Sequence, residues 1–219
     1  MLESMLATES KRSTGPSPDL KVVSLLKASV SGAVDLINPG YAVRTLKKQT
    51  WQGKVWFDGV NEANQRPYMT DIPNLDASKN CVLELVWIYD TFSRPVILIQ
   101  FDFTDSGKSA LLFNRYQLTC KQRNLNDVYY TIPTFREYGI YHTALQQIDG
   151  DVHLFIDGKP VHVFKGASIF MGGSNYFIQL GKGDGMFGLL YNNLRVYQGI
   201  KYPAGEEFKP QYDFTVENS

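Results

Sequence analysis

The segment from Val152 to Phe164 gathers histidine and phenylalanine side chains on an alternating pattern that predicts a β-hairpin. Asp157-Gly158 lies at its centre, and Asp-Gly tolerates the positive φ angles of a two-residue turn. A turn there gives three cross-strand pairs: Ile156 with Lys159, Leu154 with Val161, and His153 with His162. The apolar face then carries Val152, Leu154, Ile156, Val161 and Val163. The opposite face carries the side chains suited to contact a protein or a sugar: His153, Phe155, His162 and Phe164.

The chemistry of this face favours contact over metal binding. Only His153 and His162 are expected to be neighbours, and together with His142 they lack the spacing of a zinc site. Surface aromatic residues mark contact sites. We therefore predict that Tyr129 and Tyr130 also contact a protein or a sugar. Two opposed imidazolium groups repel each other, so we expect protonation at about pH 6 to weaken the hairpin locally.

Composition limits the classes of protein that the chain can represent. The 219 residues are 43% hydrophobic and carry no net charge, which argues against nucleic acid as a partner. Cys81 and Cys120 are better explained as buried thiols than as a disulfide, because nothing else indicates secretion. Neither an apolar leader nor a run of about 20 apolar residues occurs, so no membrane contact is predicted.

Short strands separated by turn residues must position these side chains. Alternating or β-branched runs occur about ten times, and no helical stretch of about 15 residues lies between them. This pattern predicts two packed antiparallel sheets. The predicted strands before and after the hairpin include Trp51–Phe57, Cys81–Tyr89, Val96–Phe103, Ser109–Phe113, Val128–Ile132, Ile140–Ile148, Tyr176–Leu180 and Leu189–Tyr197.

The predicted domain organisation has three parts. Residues 1–50 form an N-terminal arm and linker that makes assembly contacts, residues 51–205 form the sandwich, and residues 206–219 form a C-terminal tail. Residues 20–28 suit either a short helix or a strand. Contact of residues 1–50 with another chain would favour an assembly role. Contact with their own sandwich would add a strand and favour a lectin.

Two parts of the sequence resemble a known family. Ile140–Gly150 followed by Val152–Val161 resembles the central signature of concanavalin A-like, or laminin-G-like, jelly-roll domains. Gly188–Tyr202 is similar to the closing strand of this family in the version found in bacteriophage structural proteins. With early strands at Phe57-Asp58-Gly59 and Val82–Trp87, the likeness spans roughly residues 50–205. One departure is that Ile140-Tyr141 stands where the family usually has a Trp before the His.

The resemblance implies an all-β, antiparallel jelly-roll β-sandwich (concanavalin A-like), to which the N-terminal extended arm is attached. Relatives bind glycans, and some hydrolyse them with a Glu-x-Asp-x-x-Glu motif that is absent here. Glu84 shares its strand face with Val82 and Val86, and we predict that it faces solvent or a sheet edge. Relatives also bind Ca²⁺, but no spacing supports a calcium site, and we predict no cofactor; the candidates are Asp102, Asp105 and Asp184.

The resemblance and the arm together predict a non-enzymatic virion structural protein, either a capsid decoration or a tail or fibre component. Its partners would be other virion proteins and copies of itself, and it would be assembled in the host cytoplasm. The alternative is a lectin-like adhesion module that recognises a host surface glycan. Both hypotheses use the same contact residues, which are His153, Phe155, His162, Phe164, Tyr129 and Tyr130.

Overall fold

In the computed structural model the described part of the chain is built from fifteen β-strands. The structure describes residues 16–29, 32–40, 48–58, 68–69, 72–89, 96–104, 107–114, 117–121, 128–131, 139–169, 178–182 and 189–215. The strands are β1 (Lys21–Ser29), β2 (Gly32–Asp35), β3 (Lys48–Trp51), β4 (Lys54–Asp58), β5 (Tyr68–Met69), β6 (Cys81–Tyr89), β7 (Val96–Thr104), β8 (Gly107–Asn114), β9 (Gln117–Lys121), β10 (Val128–Thr131), β11 (Ile140–Ile148), β12 (Asp151–Ile156), β13 (Lys159–Phe164), β14 (Ile178–Lys182) and β15 (Leu189–Gln198).

The strands form two antiparallel sheets. The larger sheet has nine strands, and its main path runs β13-β12-β11-β6-β15-β1-β2, with β4 pairing β15 and β3 pairing β4. The smaller sheet has six strands in the order β10-β9-β8-β7-β14-β5. This architecture confirms the predicted all-β sandwich class. Within the predicted arm and linker of residues 1–50, residues 1–15, 30–31 and 41–47 lie outside the described residues.

Two-residue turns with glycine second close three of the hairpins. Gln52-Gly53, Asp149-Gly150 and Asp157-Gly158 all have positive φ at both positions, as the type I′ turn requires. The first of these turns corrects one prediction. The run Trp51–Phe57 is not one strand, because the chain reverses at Gln52-Gly53 and returns as β4.

Residues 21–35 belong to the larger sheet and not to an arm. β1 pairs with β15 along its length, and β2 pairs with β1. Just before β1, Ser17 donates its N–H to the carbonyl of Ile200 at 2.8 Å and accepts the N–H of Ile200 on its hydroxyl at 2.8 Å. The boundary predicted at residue 50 is therefore too late, and the undecided segment 20–28 is a strand.

A register shift changes the predicted pairing of the central hairpin. Ile156 pairs with Lys159 as predicted, but an irregularity between Leu154 and Phe155 moves the remaining pairs by one residue. Leu154 then pairs with His162, and His153 pairs with Val163. The two histidines are not opposed, so the predicted imidazolium repulsion loses its structural basis. A bulge has this effect because one extra residue exchanges the two faces of a strand.

Both faces of β6 are buried. Leu83, Leu85 and Trp87 lie on one face and are fully buried, as the sequence predicts for the face inside a sandwich. Val82 and Val86 are equally buried on the opposite face. We call this second face the covered face, because residues 201–215, the tail segment, pack across it.

Candidate functional site

Glu84 lies at the centre of the covered face with no exposed surface. The prediction that it faces solvent or a sheet edge is therefore wrong. Its strand neighbours on both sides, β11 and β15, pair along the full length of β6. The tail segment covers the face that an open sheet would expose to water. A buried carboxylate needs charged or hydrogen-bonding partners to remain ionised.

Four side chains contact the Glu84 carboxylate. Arg195 Nε donates to Oε2 at 2.7 Å, and Lys201 Nζ lies 3.3 Å from Oε1. The hydroxyl of Tyr202 donates to Oε1, and His142 Nε2 lies 3.6 Å from the same oxygen. Register explains the first contact, since Arg195 is the direct cross-strand neighbour of Glu84. The other cation and the hydroxyl come from the tail segment.

These partners keep the carboxylate ionised. Burial by itself would raise the pKa of Glu84, but the adjacent imidazole and the two cationic side chains outweigh burial and lower that pKa to about 2. Burial and the neighbouring carboxylate raise the pKa of Tyr202, so its hydroxyl stays protonated and donates. An ionised, sealed carboxylate neither delivers protons nor meets a substrate. Its role is to hold the tail segment on the sheet.

Aromatic rings of the tail segment pack on the hairpin. The rings of Tyr202 and Phe208 stack with centroids 3.6 Å apart, and both contact Phe155 at 5.9 and 5.3 Å. Phe208 also donates its N–H to the carbonyl of Gly158 at 2.9 Å. A Cβ atom at position 158 would overlap the carbonyl oxygen of Phe208. Glycine is required there both by its φ of 75° and by this close approach.

The end of the tail segment is held through Arg195 and His142. Arg195 Nη2 donates to Gln211 Oε1 at 2.6 Å, and its guanidinium carbon lies 4.2 Å from the Phe214 ring centroid. The N–H of Gln211 donates to His142 Nδ1 at 3.3 Å. The His142 ring therefore connects the tail segment, through Nδ1, with the Glu84 carboxylate, which Nε2 faces.

The two phenylalanines predicted for an outer contact face are fully buried within the chain's own fold. Phe155 lies beneath the tail segment. Phe164 pairs with Val152, so it shares the apolar face, and its ring contacts His162 edge-on at 4.8 Å. The alternation rule placed Phe164 on the wrong face because it did not include the bulge.

The remaining predicted contact residues lie in two places. His153 and His162 are half-buried, and both line a small cavity of about 180 Å³ at the hairpin. Tyr129 and Tyr130 lie on β10, paired with β9, and their side chains are outside the described part of the structure. Contact through these four residues stays a prediction.

A larger cleft opens at the end of the sheet where β6 begins and β11 ends. Its volume is about 440 Å³, and we call it the rim cleft. Its lining consists mainly of hydrogen-bonding side chains from three separate segments: Asp19, Ser78, Lys79, Asn80, Gln147, Asp149 and Gly150. The sequence analysis missed this site. Turn residues at 149–150 were visible, but their approach to residues 78–80 depends on the pairing of Gln147 with Cys81.

Hydrogen bonds between the loops fix the walls of the rim cleft. Asn80 Oδ1 accepts the N–H of Asp149 at 3.0 Å, and Gln147 Nε2 donates to the carbonyl of Lys79 at 3.3 Å. Gln198, at the end of β15, donates to the carbonyl of Asn80 at 2.8 Å. The charged groups of the rim cleft that are exposed to solvent include the carboxylates of Asp19 and Asp149 and the ammonium of Lys79, whose side chain is 70% exposed.

Among the residues that the structure describes, no three His, Cys, Asp or Glu side chains converge on a point that could hold a metal ion. Asp102 lies within β7, whereas the other calcium candidates, Asp105 and Asp184, lie outside the described residues. Within the same ranges, no helix has the length and apolarity that crossing a membrane requires.

Comparison with solved structures defines the class of this fold. A Trypanosoma rangeli sialidase superposes with a TM-score of 0.62 at 15% identity, over 82% of this chain and 31% of the sialidase. The binding domain of Paraclostridial Mosquitocidal Protein 1 gives 0.61 at 10% identity, over 81% and 48%. The botulinum neurotoxin serotype D binding domain gives 0.58 at 12% identity, over 86% and 48%. Family models and curated proteins give no match.

The chain therefore has a β-sandwich fold, and it spans less than half the length of each of these neighbours. The comparison contradicts the prediction that the chain is not an enzyme, because the same fold occurs within sialidases. At 15% identity the likeness shows the fold alone, and it assigns no activity in either direction. The neighbours also give no support to the phage resemblance.

Proposed function

We propose that this protein binds carbohydrate in the rim cleft. The observation that carries the proposal is a cleft of about 440 Å³ that is lined mainly by polar residues and held by loop-to-loop hydrogen bonds. Small-molecule sites typically measure roughly 300–1,000 Å³. Sugar hydroxyls both donate and accept, so the carboxylates of Asp19 and Asp149 suit them as acceptors and the ammonium of Lys79 suits them as a donor.

Two further observations support a lectin-like role. β1 and β2, which lie within the predicted arm, pair into their own sandwich, and this is the outcome that reopens the lectin alternative. The neighbours in fold include toxin binding domains and a sialidase in complex with sialic acid. These similarities support carbohydrate as the class of ligand. The particular sugar must be identified by experiment.

A glycan array followed by calorimetric titration tests the proposal on the full chain, with and without calcium. We expect binding to at least one glycan, and we expect both Lys79→Gln and Asp149→Asn to weaken it. A hydrogen bond to a charged group contributes about 1.5–3 kcal/mol, which corresponds to roughly 10–100-fold in affinity. Asn tolerates the positive φ of position 149, so this change removes charge without straining the turn.

Glu206→Gln supplies the matched control, because Glu206 is an exposed carboxylate of the tail segment and does not line the cleft. This variant should bind as the wild type does. An array without any hit would sink the proposal. Binding that survives both cleft variants unchanged would place the ligand elsewhere on the molecule.

The second candidate function is assembly into a virion through protein contacts, as the similarity of residues 188–202 to a phage closing strand indicates. One observation favours it. β13 is the last strand on its side of the larger sheet, and Val161 and Val163 are only half-buried there. Exposed strand edges are templates for pairing with another chain. Light scattering tests this candidate, and a monomer at all concentrations that never joins particles would contradict it.

A further inference from the structure

Tyr212 presents an aromatic ring to solvent at the end of the sheet opposite the rim cleft. Its side chain is 43% exposed, and only Leu36 is a comparably exposed large apolar residue in the described part of the chain. The Tyr212 hydroxyl lies beside the Asp157 carboxylate, and burial together with this carboxylate and the nearby Tyr141 raises the pKa of Tyr212. We call Tyr141, Asp157 and Tyr212 the aromatic platform.

The backbone on both sides of Tyr212 is fixed. Gln211 is bonded through its N–H to His142 and through its side chain to the buried Arg195. On the other side, Phe214 is fully buried beneath the Arg195 guanidinium. The ring is therefore held in place before any ligand arrives, and preorganisation of this kind lowers the entropy cost of binding.

The other two members of the platform are equally supported. Tyr141 packs on Trp87 with ring centroids 5.2 Å apart. Asp157 Oδ1 accepts the N–H of His142 at 2.9 Å, so the carboxylate is held at the hairpin turn. Burial raises the pKa of Asp157 even though the carboxylate accepts this bond. A further donor, such as the hydroxyl of a ligand, would stabilise the ionised form.

We propose that the aromatic platform is a second sugar subsite that takes an uncharged hexose, with the apolar face of the ring on Tyr212 and a hydroxyl donating to Asp157. Tyr provides a rigid amphipathic surface for such a contact, and the Asp157 carboxylate would repel an acidic sugar. The inference rests on the proposed carbohydrate function. β12 separates the two turns by about 20 Å at about 3.4 Å per residue, so the two sites act independently.

Fluorine NMR of the full chain labelled with 3-fluorotyrosine tests the subsite. Methyl glucoside, methyl galactoside and methyl mannoside serve as neutral probes, and methyl glucuronide serves as the acidic one. Tyr212→Phe assigns the resonance. We expect at least one neutral probe to shift the Tyr212 signal, and we expect methyl glucuronide to leave it unchanged. Asp157→Asn should weaken this binding about tenfold or more, as truncation of a dominant contact does, without straining the turn.

Two controls separate the subsite from the rim cleft. Asp149→Asn should leave the Tyr212 shift intact, and the amide signal of Gly150 should report the cleft alone. If sugars shift Gly150 and never Tyr212, the subsite is wrong and the carbohydrate function stands. If neither signal responds to any probe, both are wrong. If the Tyr212 signal moves with protein concentration and not with sugar, the platform is a contact between copies and the subsite is overturned.

Discussion

The covered face and the rim cleft both contain clusters of polar side chains, but these side chains are buried on the covered face and exposed in the rim cleft. On the covered face, Glu84 and Arg195 are sealed from water and pair at 2.7 Å. In the rim cleft, Asp19 and Asp149 are exposed, and the Lys79 side chain is 70% exposed although it pairs with Asp76. Charges in the first region are buried within the fold, whereas charges in the second are exposed to solvent, where a ligand can reach them.

The difference teaches that residue type alone does not mark a functional site. A carboxylate on a β-strand, such as Glu84, is the type of group that glycoside hydrolases use for catalysis. Its surroundings make it a structural anchor, because burial with paired cations fixes one arrangement of the tail segment. The side chains that a ligand could reach lie in the turns around the rim cleft. Hydrogen bonds between the loops hold these turns in place, and the charged side chains are exposed to water.

The largest expected effect comes from breaking the buried cluster. Glu84→Ala leaves Arg195 and Lys201 as buried or half-buried cations without a counter-charge, and we expect a loss of about 3–5 kcal/mol in the free energy of unfolding. Urea denaturation measures it. The double variant Glu84→Leu with Arg195→Leu should recover part of the loss, since it removes the buried ion pair and leaves Lys201, which is partly exposed, without its counter-charge. Equal losses in the single and double variants would contradict this account.

Lowering the pH should show how much the Glu84 carboxylate contributes to the free energy of unfolding. The pKa of Glu84 is lowered from 4.5 to about 2 in the folded chain, so the unfolded chain binds the proton first. Its stabilising contribution is therefore complete above about pH 4.5 and is lost as the pH falls towards about 2, a change of about 3 kcal/mol. Urea unfolding from pH 7 to pH 2.5 should show a flatter profile for Glu84→Gln than for the wild type. Parallel profiles would show that Glu84 is not the responsible group.

Alanine substitutions at two glycines compare the hairpin turn beneath the tail segment with the turn at the rim cleft. Gly158→Ala and Gly150→Ala both place a Cβ at positive φ, but only the former meets the Phe208 carbonyl of the tail segment. We expect about 1 kcal/mol of destabilisation at position 150 and clearly more at position 158. Thermal unfolding of the two variants side by side measures the difference. Equal losses would mean that the tail segment does not press on the hairpin turn.

The smallest effect on stability should come from the rim cleft. Lys79 makes a surface ion pair with Asp76 at 3.1 Å, and such pairs contribute about 0–1 kcal/mol. Lys79→Gln should therefore change the free energy of unfolding by less than about 0.5 kcal/mol while weakening glycan binding. A large loss of stability would show that the cleft, like the covered face, is part of the folding core.

Much of the fold could be predicted from local patterns, whereas the sites could not. Alternation identified β6, β11, β12 and β15, and the Asp157-Gly158 turn was placed correctly. The burial of Glu84 was missed because it depends on Lys201 and Tyr202, more than 100 residues away in sequence. The rim cleft was missed for the same reason, since its loops meet only through strand register.

The sequence by itself determined the all-β class, most of the strands and the turns at Asp149-Gly150 and Asp157-Gly158, because φ preferences and side-chain alternation act within a few residues. Only the tertiary structure decided which face of each strand meets water. One irregularity between Leu154 and Phe155 exchanged the faces of β13, and the tail segment turned an open sheet face into a buried one. Burial, charge compensation and access to ligand depend on contacts between distant segments, and local sequence patterns do not encode those contacts.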